Sequence, residues 1–212
     1  MVTLAPARES LYRLLARIYI LEVDGPFLEA MQAMVFPSGV ANPELNEGYA
    51  LLQNYLSCGT EEDLEDLAVD YASIFLAAGI AQGLAAFPYE SVYVSKTRMI
   101  GQESKSRVAE LYASRGFSLR DNLPKAPEDH VAMELEYMAF LCRELAAYPD
   151  RAEQLLQEQT VFLETHLINW VPLFCRDVGK YAQTDFYQAI GKITTGFLQM
   201  EQALLQEARG AV

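Results

Sequence analysis

At 212 residues, about half of them hydrophobic, the chain is long enough for one generous domain with a large buried core, and disorder is not expected. Sixteen basic residues against 29 acidic ones leave a net charge of −13, a surface that repels phosphate backbones and favours basic partners, so nucleic-acid binding is disfavoured. Charged residues interrupt every apolar run well short of a membrane span, and Met1 to Glu9 lacks the basic-then-apolar order of a secretory signal; the expectation is a cytoplasmic protein with no membrane span.

In chain order, nearly every segment repeats its apolar residues at the helical period, and no strand alternation appears. Leu11, Leu14, Leu15, Ile18 and Leu21 form the first stripe. Gly25-Pro26, Pro37-Ser38-Gly39, Asn42-Pro43 and Cys58-Gly59-Thr60 punctuate the chain, and Thr60 before Glu61 to Asp63 reads as a helix start. From Glu61 to Leu76 the residues Leu64, Leu67, Ala68, Tyr71, Ile74 and Phe75 share one face. A stretch from Ala77 to Thr97, with Gly79, Gly83, Phe87, Pro88, Tyr89 and Tyr93, reads as non-helical. So does Arg115 to Pro127, with Gly116, Asn122 and Pro124, where a hinge at 115–127 is expected. Val131, Leu135, Met138, Cys142 and Leu145 then mark a long core-facing helix. Pro149-Asp150 breaks the chain again, and Phe186, Ile190, Ile193, Phe197, Met200 and Leu204 give the last stripe. The fold class is therefore all-α, a single helical domain over 1–212 with about nine or ten helices.

Polar chemistry concentrates in Pro127-Glu128-Asp129-His130 at the head of the Val131 helix. Proline suits a first helical turn, and acids there meet the positive end of the helix dipole, so the run predicts a well-capped helix start. It equally suits a cleft in which Asp129 and His130 meet a cationic or hydrogen-bonding ligand. His130 and Glu134 are one turn apart, a spacing that can share a metal, yet no HExxH or paired ExxH motif accompanies them. No metal is expected, no cofactor, and no catalytic residue, because no nucleophile motif or phosphate cradle is legible. Cys58, Cys142 and Cys175 are scattered without a CxxC pair and read as buried free thiols in a reducing compartment. The second constellation is Phe87-Pro88-Tyr89-Glu90-Ser91-Val92-Tyr93, whose rings either plug a gap between helices or line a groove with Glu90 at its rim. Tyr71, Ile74 and Phe75 would supply the groove floor.

Together these residues resemble the TorD/DmsD/NarJ family of redox-enzyme maturation chaperones, most closely its DmsD-like branch. The carriers are the Pro-x-Asp-His element at Pro127 to His130 and the Pro-aromatic-x-Ser-Val-aromatic element at Pro88 to Tyr93. Tyr71-Ala72-Ser73-Ile74-Phe75 and the terminal segments around His166 to Trp170, Phe174 and Asp185 to Gly191 add to them. The resemblance implies a cytoplasmic chaperone that binds the twin-arginine signal peptide of a molybdenum-cofactor oxidoreductase precursor until cofactor insertion is complete. Translocase components are further expected partners, and either a monomer or a domain-swapped dimer is compatible with it. The peptide-binding region it implies comprises Tyr71, Ile74, Phe75, Pro88, Tyr89, Tyr93, Pro127, Asp129 and His130. The sequence departs from the pattern at Ala126, where relatives commonly carry Glu, and at Tyr71, Tyr89 and Tyr93, where close relatives often carry Trp. The competing reading is a helical enzyme or a nucleotide-responsive, GTP-binding module with its site around Asp129 and His130.

Overall fold

A computed structural model describes residues 1–58, 63–76, 78, 85–95, 100, 103–119 and 122–210. The expected helix start at Thr60 to Glu62 and the glycines Gly79 and Gly83 lie outside them. Among the described residues there are ten α-helices and no strand. The helices are α1 (Ala5–Ile20), α2 (Gly25–Gln32), α3 (Pro43–Cys58), α4 (Asp63–Phe75), α5 (Glu90–Val94), α6 (Glu103–Ser114), α7 (Val131–Ala147), α8 (Ala152–Phe162), α9 (Val171–Tyr181) and α10 (Asp185–Gly210). A π-helical turn, Leu163–Leu167, continues α8.

Two of the sequence breakers begin helices. Asp24 caps α2 by accepting from the Phe27 N–H at 2.9 Å, with Pro26 in the first turn. Asn42 accepts from the Leu45 N–H at 2.9 Å, and Pro43 opens α3. Proline is tolerated at both because its missing N–H would have no intrahelical partner there. Within the aromatic stretch expected to be irregular, Glu90–Val94 is helical. Five residues with a Val-Tyr-Val end are too short for helical periodicity to register.

The helices pack into two units, each with its own core. The first comprises Met1–Leu21, Pro88–Val171 and Leu198–Val212. Its centre is α7, which packs on α1 and α8 and is buried on nearly every side from Val131 to Cys142. Helices that are apolar all round belong in a core, and this one carries Val131, Leu135, Met138 and Leu145 inward with no accessible surface. Cys142 is buried there with its thiol pushed up to about 12 by burial, and is chemically inert. Cys58, in contrast to the sequence expectation, is exposed at the end of α3, because the stripe it follows turns Leu52 and Leu56 inward instead. A ring cluster of Tyr112, Phe117, Tyr137, Phe140 and Phe162 fills one flank of the unit, with centroid separations from 4.7 to 6.5 Å.

One polar network crosses this core. Arg8 of α1 donates through Nε and Nη2 to both carboxylate oxygens of Glu201 at 2.6–3.0 Å, and Nη2 also reaches Gln159 Oε1 at 2.7 Å. Tyr12 donates to Glu201 Oε2 at 2.8 Å, and Gln159 donates to the Leu141 carbonyl at 3.3 Å. Four helices of the first unit are thus tied at one charged node.

The second unit comprises Glu22–Phe87 and Pro172–Phe197. Here α3 lies against α10 at two glycines. A Cβ on Gly48 would stand 2.8 Å from the Ile193 nitrogen, and one on Gly196 would stand 2.7 Å from Leu45 Cα. The start of α10 is held by Asp70 of α4, whose buried carboxylate accepts from the Gln183 and Thr184 backbone N–H groups and from the Thr184 hydroxyl at 2.7–3.1 Å. Negative charge at a helix N-terminus is favourable, and three donors satisfy it.

The Arg8–Glu201 node generates a stability prediction. Arg8→Ala would leave Glu201 buried with an unpaired charge, so urea unfolding should show a loss of about 3–5 kcal/mol. A loss below about 1 kcal/mol, the range of exposed pairs, would show that the node carries no such weight.

Candidate functional site

The two motif segments singled out by the sequence meet in the first unit. The Glu90 N–H donates to the Asp129 carbonyl and the Val131 N–H donates to the Pro88 carbonyl, each at 2.9 Å. These two bonds make an isolated antiparallel bridge with Tyr89 opposite His130. Across it the Tyr89 ring stands edge-on to the His130 ring, with centroids 5.2 Å apart and planes at 81°. The Asp129 side chain reinforces the same junction, its Oδ2 accepting from the Ser91 N–H at 3.3 Å. Asp129 therefore grips the start of α5 with both its carbonyl and its carboxylate.

This arrangement corrects the sequence reading of the Pro127 run. Helix α7 begins at Val131, and Pro127 to His130 form a turn ahead of it, closed by the His130 N–H donating to the Pro127 carbonyl at 3.0 Å. The backbone of His130 is extended because it is engaged by the bridge, and an extended residue cannot lie inside a helix. His130 is instead the cap, its Nδ1 accepting from the Ala132 N–H at 3.1 Å. That hydrogen bond fixes the neutral tautomer with its proton on Nε2. Burial lowers the His130 pKa from 6.5 to about 3, so the ring stays neutral at physiological pH.

Behind the bridge lies a further set of polar groups that the sequence reading placed differently. Glu90, expected at a groove rim, is buried, with Oε2 at 3.2 Å from His166 Nδ1 of the π turn. Glu134 has no accessible surface, and its Oε2 accepts from Trp170 Nε1 at 3.0 Å. Burial first, then the charge of Glu90, push the Glu134 acid well above the usual carboxylate range. Two buried oxygens, Asp129 Oδ1 and Glu134 Oε1, accept from no donor. Glu134 does not announce itself in sequence beyond its four-residue spacing from His130, whereas His166 and Trp170 lie in a terminal segment that the resemblance already picked out. Among the described residues, no group of three or more His, Cys, Asp or Glu side chains is placed to hold a metal ion.

Access differs among the candidate residues. Pro88, Asp129 and His130 are buried, while Tyr89, Tyr93 and Pro127 are half-buried. Tyr93 leans on Trp170, with centroids 5.6 Å apart and planes at 30°. A cleft of about 600 Å³ opens between α6 and α8, lined by Leu111, Val161, Phe162, Arg107, Glu158 and His166. Tyr71, Ile74 and Phe75 belong to the second unit and are all buried there. Tyr71 and Phe75 cluster with Tyr187 and Phe174 at centroid separations of 5.2–6.1 Å. These three residues are core, and the exposed apolar residues of that segment are Val69 and Leu76.

A family model described as "Nitrate reductase delta subunit" matches residues 41–176, a span that contains all three motif segments. A "Chaperone protein TorD" from Photobacterium profundum is 28% identical over 179 residues, covering 82% of this chain and 81% of that relative. Another from Actinobacillus pleuropneumoniae is 30% identical over 203 residues, covering 91% and 92% respectively. Among solved structures, a redox enzyme maturation protein from Archaeoglobus fulgidus aligns over 94% of this chain and 93% of its own, at 20% identity and a TM-score of 0.47.

The depressed His130 pKa sets the acid limb of stability. Between pH 6.5 and about 3 the unfolded chain binds a proton that the folded chain refuses, so stability falls as pH drops through this window. The slope from this group approaches about 1.4 kcal/mol per pH unit. His130→Asn keeps a capping acceptor and removes the titration. Urea unfolding at stepped pH should show a flatter acid limb in this variant; parallel curves would exclude His130 as the source.

Proposed function

This chain belongs to the nitrate reductase delta subunit family, and from that membership we propose that it is a cytoplasmic chaperone of the TorD/DmsD kind that binds the twin-arginine signal peptide of a molybdenum-cofactor oxidoreductase precursor. Its role is to hold that segment until cofactor insertion and folding of the precursor are complete. The observation that carries the reading is the Tyr89–His130 bridge, which joins two family motif elements into one surface with half-buried rings.

The physics of such a peptide matches this protein. A basic region followed by an apolar stretch is attracted at long range by a net charge of −13. Apolar contact then supplies affinity. Burying about 400–600 Å² of apolar surface yields about 10–15 kcal/mol gross at ~25 cal/mol per Å². Ordering the peptide and losing its free motion offset several kcal/mol or more of this. The remainder suits roughly micromolar to sub-micromolar binding, tight enough to shield a signal and weak enough to release it.

Roles within the site follow from access. Tyr89, Tyr93 and Pro127 are the residues able to touch a peptide as they stand, offering area at low entropic cost. Asp129 and His130 hold them: the first grips α5, the second caps α7. Tyr71, Ile74 and Phe75 support the surface of α4 from within the second unit.

Titration with a synthetic twin-arginine signal peptide tests this division. Tyr89→Ala should weaken binding about tenfold, about 1.4 kcal/mol, with the helical circular dichroism unchanged. Asp129→Ala/His130→Ala should weaken it at least as much, because the junction that presents the rings is undone. Wild-type affinity in both folded variants would reject the assignment.

A further inference from the structure

Of the two histidines in the chain, His166 lies outside both elements that form the bridge, yet its side chain meets one of them. The imidazole Nδ1 stands 3.2 Å from Oε2 of Glu90, a side chain almost closed to water. Glu90 donates its backbone N–H to the Asp129 carbonyl and follows Tyr89 directly in the chain. We propose that His166 is a positioning residue of the peptide surface, whose Nδ1–H holds the Glu90 carboxylate and so fixes Tyr89 at the start of α5. This rests on the reading of the Tyr89 ring as a peptide contact.

The π-helical turn sets the backbone of His166. In an α-helix the Trp170 N–H would reach the His166 carbonyl, four residues back. Here the Trp170 N–H bonds to the Leu167 carbonyl at 3.3 Å, and the Ile168 N–H reaches the Leu163 carbonyl at 2.9 Å, the five-residue step of a π turn. The His166 carbonyl takes the indole N–H of Trp170 instead, at 2.5 Å. Single π turns inside α-helices are rare and occur frequently at functional sites. The same indole leans on Tyr93, the other half-buried ring of α5. His166 is thus linked to both ends of that helix, to Glu90 through its imidazole and to Tyr93 through Trp170.

The ring of His166 is held in its turn. Phe162 packs beside it, with centroids 5.1 Å apart and planes at 34°. A carboxylate accepts and never donates, so the Glu90 contact places a proton on Nδ1. His130 has the reverse arrangement, because its Nδ1 accepts from the Ala132 N–H. The two histidines therefore carry protons on different nitrogens, Nδ1 in His166 and Nε2 in His130. Without the His166 donor, the Glu90 carboxylate is left short of a partner in a nearly water-free site. It is then driven outward, and the backbone beside Tyr89 moves with it.

Imidazole nitrogen NMR of the full-length protein reads the ring without any peptide. At about pH 8, where an ordinary histidine is neutral, His166 should show a protonated Nδ1 and His130 a protonated Nε2. Glu90→Ala should remove the preference of His166. A His166 proton on Nε2 alone in the wild type, or an unchanged ring in Glu90→Ala, overturns the hold on Glu90. Titration with a synthetic peptide carrying two adjacent arginines before an apolar stretch reads the consequence. His166→Ala should weaken binding about tenfold. In His166→Asn the amide nitrogen stands near the place of Nδ1, so affinity should stay within about threefold of wild type. In His166→Gln it stands near the place of Nε2, and the loss should match that of His166→Ala. Added to Glu90→Ala, His166→Ala should cost less than about a further twofold. Unchanged Trp170 emission shows the π turn intact in each variant, and where His166→Ala disturbs it the Asn and Gln variants decide. Wild-type affinity in His166→Ala, equal losses in the Asn and Gln variants, or a full additional loss on top of Glu90→Ala overturns the positioning role. A wild type that binds no such peptide overturns the chaperone reading instead, and the nitrogen spectra still decide whether Nδ1 holds Glu90.

Discussion

The site depends on a backbone bridge one residue wide. Two hydrogen bonds, from Glu90 to Asp129 and from Val131 to Pro88, join segments nearly forty positions apart in the chain. Each bond in isolation contributes about 1 kcal/mol, too little to hold a loop against its entropy. What makes the bridge hold is that its ends are helix starts. Val131 opens a helix buried on nearly every side, and Glu90 opens a helix whose first two N–H groups are both taken by Asp129. The irregular segment is therefore placed by regular ones, which is how a loop can present side chains with little freedom to lose.

That construction has an electrostatic consequence. Placing Asp129 at the junction puts a carboxylate in the core, and Glu90 and Glu134 follow it. Three acids in one apolar region cannot all be ionised without large Coulomb repulsion. The observed solution distributes donors among them. The Ser91 backbone N–H serves the Asp129 carboxylate, His166 meets Glu90, and Trp170 serves Glu134, whose burial favours its neutral form. His130 is excluded from this exchange. Its Nδ1 is occupied by a backbone donor and burial keeps it uncharged, so it acts as a cap and a ring partner rather than as a counter-ion.

Much of this was legible in the sequence because helical periodicity is a strong signal over ten or more residues. The stripes of α1, α4, α7 and α10 fall where apolar spacing puts them, and the Pro127 and Pro88 segments stand out against that background. The misplacements share one cause: each is set by a contact distant in sequence. The start of α7 shifts to Val131 because Pro88 and Glu90 hold His130 extended. Glu90 turns inward because His166, 76 positions away, meets it. Tyr71, Ile74 and Phe75 form one apolar face, as their spacing requires, but spacing alone does not say whether that face lines a groove or fills a core. Their ring contacts with Phe174 and Tyr187 make it core.

The two oxygens left without donors, Asp129 Oδ1 and Glu134 Oε1, bear on why this region has the composition it has. A buried acceptor without a partner costs about 1–3 kcal/mol, and an apolar side chain of similar size would remove the cost. Elsewhere in the first unit both carboxylate oxygens of Glu201 are occupied, by Arg8 and Tyr12, although Arg8 Nη1 has no partner. Among the described residues of the first unit, the buried carboxylate oxygens without a partner are those of Asp129 and Glu134. A region whose acids are only partly matched is one where a cationic or hydrogen-bonding ligand, or a change in protonation, shifts the balance most for the least displacement. The turn that joins the family motifs thus carries a buried carboxylate oxygen with no donor, and this is the physical reason to seek both binding and its control there.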